Sequence, residues 1–282
     1  MLICGKCGSE ISDIEEKCST CGGHAGPPNV RAAERNEERA ALEDRYGKAI
    51  ENAKANGSHS SLEKFDENMR RTSVVINVDL DFLRHFITND KAMYSNYNLA
   101  VKGEVRKSAA GKDDRHRRTI EAAMFGGFAE EIRYAALSLD GSGLKSWGPY
   151  SIKLREVAVS DRSTMLEDNS YSFIPKHGIQ PGEDIPPGYV ATWRERHKLA
   201  VAKLAGQISS GTSEAEYPKI LMSNTGDRAT DDYVEVHIYG GFDNKAVESV
   251  KGSSSVKGKY PRAALSNIKD HLKNAGKDWI EE

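Results

Sequence analysis

Residues 4–21 read CGKCGSEISDIEEKCSTC, and the spacing of their cysteines decides how the N-terminus folds. The four cysteines form two Cys-x-x-Cys pairs with ten residues between the pairs: Cys4, Cys7, Cys18 and Cys21. A glycine follows each pair, at Gly8 and Gly22, which suits a tight turn that aims both sulfurs and nearby amides at one ion. Two such turns supply the four ligands of a closed tetrahedral zinc site, so the sequence predicts structural zinc here.

The cysteine segment resembles the short zinc ribbons at the start of many prokaryotic proteins, and this resemblance covers residues 1–25. Zinc folds such a segment because it is too short to bury a hydrophobic core. The alternative, four unrelated free cysteines, fits this spacing poorly. Since the chain has only four cysteines, a catalytic cysteine elsewhere is excluded.

Length and charge limit the number of domains and the classes of partner that the protein can have. The chain has 282 residues, enough for one large domain or two smaller ones. Its net charge of −2 provides no global basic field for nucleic acid. No apolar stretch reaches the roughly 18 residues that span a bilayer, and the N-terminus lacks a secretory signal pattern. We therefore expect a cytoplasmic protein without a membrane partner, or one delivered by a signal-free secretion route.

Outward from the cysteines, residues 26–72 are predicted to be a charged helical linker. Residues 30–54 carry glutamate and arginine pairs that can bridge one helical turn apart. A second helix from Ser61 to Arg71 has Leu62, Phe65 and Met69 at helical spacing. We interpret these helices as a solvated spacer; a dimerising coiled coil and a lid on the next domain are the alternatives.

Residues 73–282 have the sequence pattern of a globular domain with both strands and helices. Strands and helices follow one another without a regular βαβ rhythm, which predicts an α+β fold. Strands are predicted at Val74–Ile76, Ile132–Leu139, Tyr150–Val159, Lys219–Met222 and Tyr233–Tyr239. Helices are predicted at Leu80–Ile87, 113–125, Val190–Ile208 and 262–274, with a loop at 174–188.

The strand at Tyr233–Tyr239 carries the clearest candidate for catalysis. Alternation places Glu235 and His237 on one face and the apolar residues on the other. A glutamate there can stabilise developing positive charge or act as a general base, with His237 as a second titrating group. The Gly240-Gly241 turn would let a ligand approach the backbone. The alternative is an edge strand with an ordinary polar outer face.

Two further groups are candidates for ligand binding. Arg162 can hold a phosphate or carboxylate through its forked donors, with hydroxyls from Ser163 and Thr164. The second group is predicted to bind a cofactor and comprises Tyr94, Arg106 and Tyr150. For each group a structural role, as turn former, helix cap, solvated face or core anchor, is the alternative.

Taken in order, the segments between about residues 75 and 250 resemble a group of poorly characterised bacterial proteins. The motifs that carry the resemblance are Tyr94–Tyr97, Phe125–Gly127, Arg133–Leu137, Trp147-Gly148, Arg162–Thr164 and Glu235–Gly240. Their order also distantly resembles mono-ADP-ribosyltransferases, which place an early arginine, a central Ser-Thr-Ser-type strand and a late catalytic glutamate around NAD.

This second resemblance implies that Glu235 stabilises an oxocarbenium-like ribose, with Ser163 and Thr164 in the central element. Arg106 would be the early arginine. The chain departs from the pattern in two places: it has no full Ser-Thr-Ser, and His237 stands where the second glutamate is expected.

Three functions follow as hypotheses. The first is a bacterial toxin or effector enzyme acting on NAD, as an ADP-ribosyltransferase or a glycohydrolase, with an immunity protein as a conceivable partner. The second is a metal-independent nuclease in which Glu235 and His237 form the acid–base pair, assisted by Arg162 or Lys153. The third is an adaptor whose zinc ribbon recruits a protein or a nucleic acid. The sequence leaves the oligomeric state open.

Overall fold

The computed structural model describes residues 2–4, 6–12, 15, 17–94, 119–180, 183–228 and 230–282. The fold is α+β, as predicted, with a cysteine cluster at the N-terminus. Its strands are β1 (Leu2–Ile3), β2 (Glu10–Ile11), β3 (Ser73–Val78), β4 (Met93–Tyr94), β5 (Ile132–Ser138), β6 (Tyr150–Leu154), β7 (Ser163–Leu166), β8 (Val190–Thr192), β9 (Glu235–Tyr239), β10 (Phe242–Asp243), β11 (Val247–Gly252) and β12 (Asp278–Glu281).

The helices lie between these strands along the chain. They are α1 (Pro28–Ala33), α2 (Asn36–Ala55), α3 (His59–Met69), α4 (Leu80–Thr88), α5 (119–125), α6 (Glu156–Val159), α7 (Ser170–His177), α8 (Arg196–Leu204), α9 (Tyr217–Leu221) and α10 (Lys259–Asn274). Within the described ranges, no helix has the length and apolar character needed to cross a membrane.

One eight-stranded sheet organises the domain, in the order β12-β11-β6-β3-β5-β9-β7-β8. Neighbouring strands run antiparallel except for β11 and β12, which are parallel. The candidate strand β9 therefore lies inside the sheet, hydrogen-bonded to β5 on one side and to β7 on the other. The alternative interpretation of this segment as an edge strand is wrong.

The main hydrophobic core covers one face of the sheet. Val74 and Ile76 of β3, together with Val236 and Ile238 of β9, share this core with buried residues from α2, α3, α4, α8 and α10. The other face has two smaller cores, one of which joins Leu166 of β7 to α5 and α7. Both faces of β9 are thus covered by helices.

Helices α2 and α3 are part of the main core, which corrects the interpretation of this region as a solvated spacer. Leu42 of α2 and Leu62, Phe65 and Met69 of α3 are at most 1% exposed. Their apolar stripe packs against α8 and completes the core, because the sheet face beneath would otherwise remain open to water. The division of the chain at residues 25 and 72 into separate domains stays a prediction.

Several predicted elements agree with the structure. β3, β5 and β9 match three predicted strands, and α4 and α10 match two predicted helices. The helix predicted over 113–125 is observed over 119–125, while 113–118 lie outside the described residues.

Other assignments are wrong for identifiable reasons. The predicted helix at Val190–Ile208 begins instead with β8, because three of its residues pair with β7. The predicted strand at Lys219–Met222 lies mostly in α9, where Pro218 occupies the first turn and suits a helix start. The predicted strand Tyr150–Val159 ends at Leu154 and continues as α6, and the predicted loop 174–188 begins inside α7. Strands β7, β11 and β12 were not predicted.

Candidate functional site

The four cysteines form one compact cluster that can hold a metal ion such as zinc. Their Sγ atoms all lie within 4.8 Å of one another. The Sγ atoms of Cys4 and Cys21 are 3.8 Å apart, and those of Cys7 and Cys18 are 3.5 Å apart. Zinc–sulfur bonds of about 2.3 Å in a tetrahedron separate the sulfurs by about 3.8 Å, so the spacing fits such an ion.

The two tight turns predicted at Gly8 and Gly22 are present, and they position the thiols. Gly8 and Gly22 adopt φ angles of 73° and 65°, a left-handed conformation that favours glycine. The N–H of each donates to the carbonyl of the first cysteine of its pair, at 2.8 Å. The Ser9 hydroxyl and then its backbone lower the pKa of Cys7 to about 6. A hydrogen bond with the Gly23 backbone lowers the pKa of Cys21, but the neighbouring cysteine thiols and burial outweigh it and raise that pKa to about 11.

The cysteine module contacts the rest of the chain through α1. Strands β1 and β2 pair as a hairpin next to the cluster. The buried Arg31 of α1 donates to the carbonyl oxygens of Ser12, at 3.3 Å, and Glu15, at 2.9 Å. The module is therefore held against α1, which in turn contacts β7 and β9 through Asn29.

Glu235 and His237 form a buried pair on β9. Glu235 Oε1 lies 2.7 Å from His237 Nε2, and the two residues are 4% and 1% exposed. The other carboxylate oxygen accepts from the Tyr233 hydroxyl at 3.3 Å and from the Ser170 backbone N–H at 3.4 Å. One carboxylate thus meets three polar groups, as a buried carboxylate must if its lone pairs are to be satisfied.

Aromatic rings enclose this pair. The ring centroid of Phe125 lies 4.9 Å from that of His237 and the centroid of Tyr134 lies 5.4 Å away, both in edge-on arrangements. Tyr134 reaches this position because it is paired with His237 in the β5–β9 register. The side of β9 that carries the pair is therefore closed by the end of α5 and by β5.

Burial also shifts the titration of Tyr233, the third member of this network. Burial, followed by the charge of Glu235 and the hydrogen bond to it, raises the pKa of Tyr233 well above its ordinary value of 10. The protonated phenol serves as a donor to the carboxylate.

The predicted residues Ser163 and Thr164 lie on opposite faces of the sheet. Thr164 is paired with His237 in the β7–β9 register and accepts a hydrogen bond from Asn29 Nδ2 at 3.3 Å. Ser163 is paired with Ile238 on the main-core face, and its buried Oγ has no hydrogen-bond partner within the described ranges. Thr164 alone of the two shares the face of the Glu235–His237 pair.

Arg162 lies immediately before the first residue of β7, beside the Gly240-Gly241 turn. Its Nε donates to Ala158 O at 2.7 Å, and its Nη1 donates to Tyr239 O and Gly241 O, both at 3.0 Å. Because β7 and β9 are antiparallel, this end is the one farthest from Glu235, which pairs with Leu166. Arg162 and Glu235 are therefore not brought together.

Of the predicted cofactor-binding residues, Tyr94 is close to Arg162 and Tyr150 is not. Tyr94 pairs with Phe242 just after the glycine turn, and their rings stack with centroids 4.9 Å apart. Tyr150 is buried on β6, three strands away from β9, where its ring lies 6.0 Å from that of Trp279. Arg106 lies outside the described residues.

The sequence reasoning missed two residues that the structure places at these sites. Arg133 of β5 is buried beside the glycine turn, and Asn29 of α1 donates to Thr164 and to the His237 carbonyl. A charged residue inside the otherwise apolar run IRYAAL was the available signal for Arg133, because unpaired charges are rarely buried. No local signal distinguishes Asn29.

A cavity of about 380 Å³ opens near the Glu235 end of these strands. Its charged lining residues are Glu167, Asp168, Lys176, Lys203, Asp231 and Asp232. Lys203 donates to Tyr233 O at 3.1 Å and pairs with Asp232. Ser170, which contacts Glu235, lies between the lining residues Asp168 and Ser172, so the cavity adjoins the buried pair.

No family model matches the sequence, and a comparison with curated proteins found no match. The resemblance to bacterial proteins and to mono-ADP-ribosyltransferases therefore stays a prediction.

Proposed function

We propose that this protein is an enzyme of the toxin or effector class that acts on NAD, by mono-ADP-ribosyl transfer or glycohydrolysis. Glu235 would stabilise the positive charge that develops on the ribose when the nicotinamide bond breaks, and His237 would orient its carboxylate. The observation that carries the proposal is the buried contact of 2.7 Å between Glu235 Oε1 and His237 Nε2 on an interior strand.

The cost of burial supports a functional role for this pair. A carboxylate taken out of water costs free energy that its partners only partly return, and apolar side chains would fill an interior strand at lower cost. Perturbed titratable groups collect at functional sites for this reason. Tyr233, whose pKa is raised by burial, is such a group, and its hydroxyl donates to Glu235.

We assign the cavity next to α7 as the route by which substrate reaches Glu235. Asp168 and Ser172 line the cavity, and the intervening Ser170 donates its N–H to Glu235. Since Glu235 is only 4% exposed, the substrate would have to displace the contact between Ser170 and the carboxylate.

The first test compares the parent protein with Glu235→Gln, using labelled NAD and a cell lysate. Nicotinamide release and transfer of label to protein or nucleic acid are both followed. The matched control is Glu248→Gln. Glu248 is an exposed carboxylate on β11, where it pairs with Lys153 of the neighbouring β6, and β11 is far from β9 in the sheet. We expect turnover by the parent and by Glu248→Gln, and a loss of at least about 100-fold in Glu235→Gln. Absence of turnover by the folded parent would refute the proposal.

A metal-independent nuclease is the second candidate, because the same contact suits a general acid–base pair. Incubating these three proteins and a His237→Asn variant with labelled RNA and DNA in the presence of EDTA separates the two candidates. Cleavage that needs both Glu235 and His237, without NAD turnover, would favour the nuclease.

We further propose that the cysteine cluster holds structural zinc and that its module recruits a protein or nucleic-acid partner. The close spacing of the four thiols supports zinc, and a closed site with four protein ligands leaves no open position for catalysis. A toxin of this kind would act in the cytoplasm and would require an immunity protein in the producing cell.

A further inference from the structure

We propose that Arg133 and Arg162, on either side of the Gly240-Gly241 turn, form a binding site for a phosphate or pyrophosphate group of a small ligand. This site does not rest on the enzymatic proposal above. Arg133 is paired with Ile238, so it lies on the main-core face of the sheet, whereas His237 lies on the other face. Phosphate binding would therefore be measurable even if no NAD were turned over.

Both guanidinium groups are withdrawn from water. Arg133 is 5% exposed, and Arg162 is partly buried immediately before β7. Burial lowers the pKa of Arg133, an effect that the charge of Glu131 only partly offsets. Burial also lowers the pKa of Arg162, and the neighbouring charge of Arg133 lowers it further. Two like charges thus share one poorly solvated region.

Backbone carbonyls are the hydrogen-bond acceptors of both side chains. Arg133 donates from Nε to Tyr94 O at 3.2 Å and from Nη1 to Glu130 O at 2.7 Å. Arg162 donates to three carbonyl oxygens, as described above. Across the described ranges, neither arginine forms an ion pair with a carboxylate. Carbonyl dipoles hold the two guanidinium groups in place but leave a net charge of +2 to be compensated.

The glycine turn lets both guanidinium groups approach the backbone closely. A Cβ atom on Gly240 would lie 3.4 Å from Arg162 Nη1, and one on Gly241 would lie 3.2 Å from Met93 Cε and 3.7 Å from Arg133 Nη2, so a larger residue would crowd the arginines. In the described part of the chain, the Nη2 atoms of both arginines make no hydrogen bond and are available as donors. Since residue 240 has a φ of 77°, glycine also suits the turn itself.

A phosphate group fits this arrangement better than a single carboxylate. It carries up to two negative charges and several acceptor oxygens, so it can accept from two guanidinium groups at once. Fixed donors lose little side-chain freedom on binding. The stacked rings of Tyr94 and Phe242 fix the adjoining backbone, and the Arg162 guanidinium carbon lies 5.9 Å from the centre of the Phe242 ring.

The test titrates pyrophosphate, inorganic phosphate and acetate into the full-length protein by calorimetry at low salt. We expect pyrophosphate to bind most tightly and acetate not to bind. In Arg162→Gln the affinity for pyrophosphate should fall at least tenfold. The control is Arg194→Gln, which removes an exposed arginine outside this site and should leave the affinity unchanged. Equal binding by the parent and Arg162→Gln, or no binding by the parent, would overturn the proposal.

A second measurement needs no variant and covers the case in which Arg162→Gln does not fold. The parent is treated with phenylglyoxal, which modifies arginines, with and without pyrophosphate, and modified positions are mapped by mass spectrometry. We expect pyrophosphate to slow the modification of Arg162 severalfold while leaving Arg194 unchanged. Equal modification of Arg162 in both samples would contradict the site.

Discussion

At the scale of single residues, the chain Tyr233–Glu235–His237 shows how a strand accommodates buried polar groups. Each side chain meets a neighbour two positions away because alternate residues of a strand share a face. The Tyr233 hydroxyl approaches one carboxylate oxygen at 3.3 Å and His237 Nε2 approaches the other at 2.7 Å. Local spacing alone therefore satisfies much of the hydrogen bonding that burial demands.

The raised pKa of Tyr233 predicts a loss of stability in alkali. The folded protein keeps the phenol protonated above pH 10, whereas the unfolded chain releases the proton near pH 10. The unfolded state then binds fewer protons, so the free energy of unfolding falls as pH rises above about 10. In Tyr233→Phe we expect a smaller fall, measured by urea unfolding at about pH 9 and 11.

The control for this prediction is Tyr171→Phe, which removes a tyrosine that is 44% exposed. Its free energy of unfolding should fall with pH as steeply as that of the parent. The same slope in Tyr233→Phe and the parent would show that Tyr233 does not contribute to the alkaline transition.

At the scale of elements, α3 shows how a charged helix becomes part of a core. Leu62, Phe65 and Met69 follow one another at helical spacing, and all three are 0% exposed. The Phe65 ring meets Tyr217 of α9 edge-on, with centroids 5.1 Å apart. Most polar residues between them, such as Glu63 and Lys64, are exposed, although Asp66 is buried, so a composition that looks solvated still presents one apolar stripe.

Replacing Phe65 by Ala tests whether α3 belongs to the cooperative core. Removing a fully buried phenylalanine should lower the free energy of unfolding by about 3–5 kcal/mol, because it removes apolar contacts and leaves a cavity. Glu63→Ala, whose side chain is 61% exposed on the same helix, should change it by less than about 0.5 kcal/mol. Urea unfolding followed by circular dichroism measures both. A change below 1 kcal/mol for Phe65→Ala would restore the spacer interpretation.

At the scale of the whole molecule, the cysteine module and the sheet domain have separate cores. Cys4, Ile11 and Cys18 form a small buried cluster at the N-terminus, apart from the large core of the sheet. A module of this size buries too little apolar surface to be stable alone. Its stability should therefore come from a metal ion, together with the contacts of Arg31 on α1.

Metal analysis of the purified protein tests whether a metal ion stabilises the cysteine module independently of the sheet domain. We expect about one zinc ion per chain in the parent and in the control Ser19→Ala, which changes an exposed residue between two cysteines. Cys4→Ser should lose most of the zinc while the sheet domain keeps its cooperative unfolding transition. Undiminished zinc content in Cys4→Ser would contradict the assigned ligands, and loss of the sheet transition would show that the two cores are not independent.

Much of the local structure was predictable from sequence. The spacing of the cysteines determined that four thiols cluster, because each pair sits on its own glycine turn. Periodicity identified β3, β5, β9, α4 and α10, and it placed Glu235 and His237 on one face of a strand. These features depend on neighbours within a few residues, where covalent geometry determines which side chains can meet.

Tertiary structure decided the features that depend on distant neighbours. Pairing with β7 made Val190–Thr192 a strand, although the segment looked helical. The sheet order placed Thr164 opposite His237, separated Tyr150 from both, and brought Arg133 to the turn beside Arg162. Sequence could not determine these positions because strand pairing joins segments far apart along the chain, and its free energy comes from burial shared between them rather than from local propensity.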